Sequence, residues 1–267
     1  MIRVLSWGIG GRLVGPGAAG RAWLGASRGG AVDLESFALA NRLVGNARTA
    51  LAFETSGGLA FSVSAPTMVV VTGAVAEVSI TGGSPIGWGS PVVLPGSATV
   101  RVTRLLDGAR AYVAVRGGLV GAGDSFVTGP DPQGPAAEHI AARRTPSTAI
   151  RVWPGPRVDW FTDGARRSLT SEEFVVTTTS AVGTRFDGPS LERARHGELP
   201  SEGLVEGAVQ VPPDGRPIVM LSGHPTTGGY PVIAVVDPAD IGAVAQAAPG
   251  TGLRFTLRSN TGWFGHL

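Results

Sequence analysis

Short apolar bursts punctuated by glycine, proline and aspartate set the rhythm of this chain. The bursts at 59–63, 67–74, 77–80, 92–94, 99–105, 111–117, 150–153, 174–179, 208–211, 218–221, 233–236 and 253–258 are three to eight residues long. They are rich in valine, and several alternate apolar with polar positions, as a half-buried strand does. Many short strands at this spacing predict a mainly β protein built as barrels or sandwiches.

Two segments carry helical spacing instead. In 33–46, Asp33 stands as the N-cap, Leu34, Phe37, Ala38, Leu43 and Val44 make an apolar stripe, and Gly45-Asn46 is a stop signal. In 237–250, Asp237 caps, Pro238 takes the first helical position and Pro249-Gly250 ends the run. A single helical turn fits around Ser171-Glu172-Glu173. The densest Gly/Pro/Asp stretch, 117–148, is the expected linker. It gives an N-terminal β-barrel-like half at 1–146 and a C-terminal one at 147–267, with strand exchange between the halves left open. No sequence repeat marks the halves as duplicates.

Composition narrows the chemistry. The 267 residues include 41 glycines and 20 prolines, yet 43% are hydrophobic, enough for a sizeable core between many turns. Cysteine is absent, which removes disulfides, thiolate nucleophiles and zinc–thiolate sites. None of the 22 basic residues is lysine. That excludes a Schiff-base lysine, a P-loop lysine and a biotinyl-lysine on this chain. Fixed positive charge in a site is then arginine, which grips carboxylate or phosphate in two-pronged fashion and does not act as a base. The net charge is +2, and the arginines are scattered, adjacent only at Arg143-Arg144 and Arg166-Arg167. Neither pair is interleaved with aromatics, so no nucleic-acid partner is expected. No apolar run reaches the roughly 18 residues of a membrane span, and none of any length precedes Arg12. The chain is therefore expected in the cytoplasm, without a signal peptide or membrane contact.

Four motifs carry candidate chemistry, each with a plainer reading beside it. His224-Pro-Thr-Thr-Gly-Gly-Tyr-Pro231 is stiff at its ends and permissive in the middle. Its glycines let a ligand approach the backbone, and His224 or Tyr230 can hold or protonate a carboxyl or amide. The plainer reading is a tight turn with Tyr230 in the core. Ser201-Glu202-Gly203 and Gln210-Val-Pro-Pro-Asp-Gly215 place an acceptor and an amide reader, Glu202 and Gln210, in a pocket, or else on a solvated hairpin. Gly29-Gly-Ala-Val-Asp33 meets a helix start, a general anion site, but lacks GxGxxG, and Asp33 also reads as a cap only. Asn41, Arg42 and Asn46 read as surface or local hydrogen-bonding residues. Glu54 is a buried functional acid or a structural carboxylate paired with arginine. His139, His196, His224 and His266 show no metal-ligand spacing, no GxSxG elbow is present, and no metal site is expected.

The blocks Asp33, Ala40-Asn-Arg-Leu-Val-Gly-Asn46, Glu54-Thr, Thr72-Gly-Ala74, Gly108-Ala-Arg-Ala-Tyr112-Val-Ala-Val-Arg-Gly-Gly118, Ser201-Glu-Gly, Gln210-Val-Pro-Pro and Pro225-Thr-Thr-Gly-Gly-Tyr-Pro231 follow one another in order over nearly the whole chain. In this the chain resembles the allophanate hydrolase subunit 2 family, which includes the C subunit of 5-oxoprolinase and KipA-like proteins. The same module is half of the biotin-dependent carboxyltransferase domain of urea carboxylase. The resemblance implies cyclophilin-like β-barrel halves with two short helices. It implies a KipI-like partner, which is the allophanate hydrolase subunit 1 chain or the B subunit of 5-oxoprolinase, and with it a lactam-binding A subunit. It implies either ATP-dependent opening of 5-oxoproline or carboxyl transfer from carboxybiotin to a urea-like nitrogen. No cofactor is expected on this chain, ATP belongs to the complex, and biotin arrives only on another protein. The implied site has Glu202, His224 and Tyr230 as catalytic groups, with Arg21, Asp33, Gln210, Thr226, Thr227 and Gly228 binding substrate. The chain alone is expected neither to turn over ATP nor to open the lactam.

The sequence also departs from the family pattern. Ala18 stands at a usually acidic position ahead of Gly20-Arg21. Gly121-Ala-Gly-Asp-Ser-Phe126 replaces a Gly-Ser-Arg-Ser-Thr block, Thr179-Ser180-Ala181 replaces Ser-Asn-Arg, and Gly223 stands where an Asp is usual. Each change removes a polar or charged group of the kind that orients substrate. The alternative this raises is a catalytically degenerate subunit that binds and regulates its partner.

Overall fold

The computed structural model describes residues 1–137, 145–195 and 197–258, so His139, His196, His266 and Arg143-Arg144 lie outside the described residues. Two units divide the chain, Met1–Gly17 with Asp33–Thr145, and Ala18–Val32 with Pro146–Leu267.

In the first unit the strands are β1 (Ile2–Ser6), β2 (Arg12–Val14), β3 (Ala52–Thr55), β4 (Leu59–Val63), β5 (Thr67–Ile80), β6 (Val92–Leu94), β7 (Thr99–Val115), β8 (Leu119–Ala122) and β9 (Ser125–Thr128), with helix α1 (Leu34–Leu43) between β2 and β3. They form one nine-stranded sheet in the order β2-β3-β7-β4-β1-β9-β8, with β5 paired to β6 and β7. β5 and β7 pair antiparallel from Val69 opposite Val115 to Ile80 opposite Val100, with register shifts between Gly73 and Val78. The sequence pattern splits each of these strands in two, with gaps at 75–76 and 106–110. Gly73 and Gly108 have positive φ, 78° and 103°, and they serve an irregularity within a continuous strand rather than a turn. The run from Ala109 to Val115 is buried throughout. Helix α1 packs against β5 and β7, while Phe53, Phe61 and Phe126 belong to the core that includes Val113 and Val115.

Asp33 caps α1, accepting from Ser36 N at 3.0 Å and from Ser36 Oγ at 2.6 Å. Phe37, Ala40, Asn41 and Leu43 are its buried residues, while Leu34, expected on the apolar stripe, is 40% exposed because it sits in the first turn beyond the sheet-facing side. Asn46 ties the helix end to β7. Its Nδ2 donates to Val115 O at 2.8 Å and to Asn41 Oδ1 at 3.0 Å, and its Oδ1 accepts from Gly117 N at 2.8 Å. The Ala40–Asn46 block is thus a structural clamp. The expected linker at 117–148 begins as a hairpin instead, with β8 paired to β9 and β9 to β1. Gly117, Gly118 and Gly123 supply positive φ at its turns, which is why the segment reads as a linker.

In the second unit the strands are β10 (Ala149–Pro154), β11 (Phe174–Thr179), β12 (Gly183–Asp187), β13 (Glu202–Gly203), β14 (Ala208–Gln210), β15 (Ile218–Met220), β16 (Thr227–Gly228), β17 (Val232–Val236) and β18 (Gly252–Leu257), with helices α2 (Asp163–Ser171) and α3 (Ile241–Gln246). The order β10-β17-β14-β15-β12-β11-β18 closes into a barrel through a parallel β10–β18 pairing. Closure leaves no free edge in that ring. Val152, Phe174, Phe186, Val209, Ile233 and Phe255 fill the core, and Phe255 meets Phe174 and Phe186 at ring-centroid distances of 5.8 and 5.7 Å. The segment 18–32 joins this unit. Gly29 N donates to Ser222 O at 2.8 Å, Arg28 pairs with Glu206 at 2.7 Å, and Val32 enters the barrel core.

Helix α2 corrects the expectation of a single turn near 171–173. Thr162 caps it by accepting from Ala165 N at 3.1 Å. Only Ala165 and Leu169 are buried, a pair four residues apart and too narrow a stripe to show as a helical period. The chain is mainly β, as expected, and the described residues hold three short helices rather than two. Among the described residues no helix is long and apolar enough to cross a membrane.

Candidate functional site

A two-stranded ladder brings Glu202 to the 224–231 loop. β13 pairs antiparallel with β16, Glu202 opposite Gly228 and Gly203 opposite Thr227, and Leu204 N donates to Thr226 O at 2.9 Å. Gln210, at the end of β14 and 3% exposed, donates from Nε2 to Tyr230 O at 3.1 Å. The next residue, Val211, donates from N to Pro231 O at 3.1 Å. Gly228 packs closely against two side-chain ends. A Cβ there stands 2.7 Å from Gln210 Nε2 and 2.8 Å from Leu204 Cδ1. Glu202, Gln210 and the Thr226–Tyr230 backbone are therefore neighbours, although the loop is separated in sequence from both.

Charge at this place is set by a residue the sequence did not single out. Arg157, beyond the end of β10, donates from Nε to Glu202 Oε2 at 3.0 Å and from Nη2 to Glu202 Oε1. Its own N donates to Val232 O at 3.1 Å, which fixes the arginine on β17. The arginine hydrogen bond holds the Glu202 carboxyl below its ordinary range, against partial burial, and the carboxylate in turn raises Arg157. Glu202 is thus an anion at neutral pH, built to accept hydrogen bonds or orient a partner rather than to donate a proton. No local signal in the sequence announces Arg157, because the pair closes over 45 positions.

His224 is 7% exposed, and its Nδ1 lies 2.7 Å from Pro225 O. A carbonyl only accepts, so Nδ1 is the donor in this pair. Tyr230 is 45% exposed, contrary to the core reading. Thr227 is exposed and Thr226 half-buried on the same loop. Arg21 is exposed at the head of a short turn, Ala22–Leu24, and among the described residues no hydrogen bond or ion pair joins its side chain to this cluster. Asp33 belongs to the other unit.

There Asp33 is part of a second polar cluster. Its N donates to Tyr112 Oη at 2.8 Å, and Tyr112 Oη donates to Glu54 Oε2 at 2.8 Å. Glu54 also accepts at Oε1 from Arg12 Nε at 2.9 Å and Nη2 at 2.6 Å, the structural pairing with arginine. Tyr112 is fully buried, and burial, then the negative charges of Glu54 and Asp33, push its hydroxyl well up. Burial pulls Arg110 down, with Tyr112 and Glu54 opposing. These groups hold α1 to the sheet. Among the described residues no three His, Asp or Glu side chains gather as a metal site requires.

The family model for the carboxyltransferase domain, subdomain A and B, matches residues 24–125 and 120–257. The chain is 30% identical over 258 residues to the C subunit of 5-oxoprolinase from Escherichia coli, covering 86% of this chain and 83% of that protein. It is 26% identical over 291 residues to the urea amidolyase of Lachancea kluyveri, covering 90% of this chain and 16% of that much longer protein. The crystal structure of TTHA0988 superposes with a TM-score of 0.84 at 31% identity, over 96% of this chain and 55% of that one.

Proposed function

The chain belongs to the family of the carboxyltransferase domain, subdomain A and B, and from that premise we propose that it is one subunit of a heteromeric, ATP-dependent amide hydrolase of the 5-oxoprolinase/allophanate-hydrolase type. The likeness to the C subunit of 5-oxoprolinase, which spans most of both chains, carries this reading. The partner is a KipI-like subunit, and a lactam-binding chain completes the complex in the cytoplasm.

The site geometry supports an amide-directed role. Glu202 offers an ionised acceptor held by Arg157, Gln210 is a buried amide locked to the loop, and His224 is fixed at the loop's start through Nδ1. Together with Thr226, Thr227, Gly228 and the exposed Tyr230, these groups suit binding and orienting an amide N–H and carbonyl. ATP fits poorly on this chain. There is no lysine to reach the phosphates, and no acidic cluster among the described residues to hold the accompanying metal. The nucleotide therefore belongs on a partner subunit. A carboxyltransferase reading needs biotin delivered on another protein.

One observation favours a second reading, a degenerate regulatory subunit. Two of the family departures touch each other: Gly223 N donates to Ala181 O at 2.9 Å, and a Cβ on Gly223 stands 3.1 Å from that oxygen. The charged groups usual at these positions are missing from a single place, so their loss counts as one coupled change. Co-expression with a KipI-like chain, followed by size-exclusion chromatography and an activity assay with the lactam-binding chain added, separates the readings. Co-elution with substrate-dependent ATP turnover supports the hydrolase. Co-elution without turnover supports the regulator. Separate elution at micromolar concentration contradicts both.

A further inference from the structure

A cleft of about 280 Å³ opens in the second unit, lined by Ser190, Leu191, Glu192, Arg193, Pro212 and Gly215 among others. Among the described residues Arg193 is the one arginine in that lining. Its Nη2 donates to Val211 O, while its Nε is buried without a hydrogen-bond partner among the described residues. Nearby arginines are matched with acids: Arg195 with Asp159 at 2.7 Å, and Arg185 with Asp214 at 3.7 Å. Arg193 has no such ion pair among the described residues. Burial pulls its guanidinium below the usual arginine range, opposed only by the more distant fields of Tyr230 and Asp214. A half-buried guanidinium with an unused N–H is costly unless an acceptor reaches it.

The position of Arg193 adds meaning to that cost. Val211, whose carbonyl takes Nη2, donates its own N to Pro231 O at 3.1 Å. The cleft is thus tied through one residue to the loop carrying Thr226 to Tyr230. We propose that Arg193 and this cleft form a carboxylate subsite, which takes the acid group of a small monocarboxylate and presents the rest of the molecule beside that loop. The choice of ligand rests on the amide-hydrolase reading, since 5-oxoproline is a lactam that bears one carboxylate.

Two features favour a small carboxylate. Arginine matches the planar, two-oxygen face of a carboxylate. A cleft of about 280 Å³ suits a compact body rather than a nucleotide.

Calorimetric titration of the full chain with 5-oxoproline and with pyrrolidin-2-one, the same ring without the acid, tests this. The expected result is at least tenfold tighter binding of 5-oxoproline, a preference lost in Arg193→Gln and kept in Arg195→Gln. The wild-type protein gives an independent check. By NMR, the Arg193 Nε–H resonance moves with 5-oxoproline and stays in place with pyrrolidin-2-one. Equal affinity for the two ligands, or a resonance that neither moves, overturns the subsite. These outcomes are separate from turnover by the complex: an active complex with an Arg193-independent KM sinks the subsite alone. An inactive complex in which this chain still shows the Arg193-dependent preference sinks the hydrolase reading alone.

Discussion

Arg157 holds the carboxylate of Glu202 with two nitrogens, so the acidic residue of the Ser201-Glu202-Gly203 motif is fixed as an anion opposite the loop that contains Gly228. Arg157→Gln removes that hold and lets the Glu202 carboxyl rise toward its ordinary range. Activity of the assembled complex is expected to fall at least tenfold, with the acid limb of its pH profile moved to higher pH. Both side chains are partly exposed, so the melting temperature should change by no more than about 1–2 °C. Steady-state kinetics across pH 4–8, beside a thermal melt, check this. An unmoved acid limb contradicts the role given to Arg157.

A side chain at Gly228 must displace the ends of Gln210 and Leu204. Gly228→Ala drives a methyl group against Gln210 Nε2 and Leu204 Cδ1 and is expected to cost about 1–3 kcal/mol of stability. It also breaks the register of β13 with β16, so substrate turnover should fall more than stability explains. Gly229→Ala is the control, since its nearest contact is Leu199 O at 3.4 Å. Urea unfolding of both variants measures the difference, and equal midpoints contradict the packing argument.

Tyr112 bridges Asp33 N and Glu54 in a site closed to water. Tyr112→Phe leaves a backbone N–H and a carboxylate oxygen without that partner, at a cost of about 1–3 kcal/mol. Amide exchange at the start of α1 should quicken in the same variant. A stability equal to wild type means that the hydroxyl is dispensable and the cluster is not what secures the helix.

Asp240 accepts from Arg151 Nε, Nη2 and N at 2.7–2.8 Å, and the arginine hydrogen bonds hold its carboxyl below the ordinary range. Glu202 and Asp187, bound to Arg157 and Arg216, are lowered in the same way. A carboxyl lowered on folding contributes its full stabilisation above its unfolded value, near 4, and loses it as pH falls through the folded value. The melting temperature is thus expected to hold from neutral pH to about 5 and to fall below about 4. Asp240→Asn lowers it at neutral pH and flattens the acid-side fall. A variant with the same pH profile as wild type contradicts the assignment.

Sequence pattern reveals local structure well where burial alternates, and poorly where distant residues decide. The strands at 59–63 and 92–94 show in full, because their neighbours are turn residues. β5 and β7 hide their continuity because their pattern lapses where the register shifts, close to Gly73 and Gly108 with their positive φ. α2 hides because a two-residue stripe has no period. The loop at 224–231 and the Glu202 and Gln210 motifs are visible as residues, and the ladder of β13 with β16 is what gathers them. Arg157 and Arg193 are invisible because an arginine in this lysine-free chain is ordinary until its partners are known.

The most direct test of the account is turnover by the reconstituted complex: this chain, the KipI-like chain and the lactam-binding chain, assayed for 5-oxoproline-dependent release of phosphate from ATP. The account predicts glutamate and phosphate formed together by the full complex, none from this chain alone, and at least a tenfold loss with Gln210→Ala in a complex that still assembles. A fully assembled complex that releases no phosphate with 5-oxoproline, or one as active without this chain as with it, contradicts the claim that this protein serves an amide hydrolase.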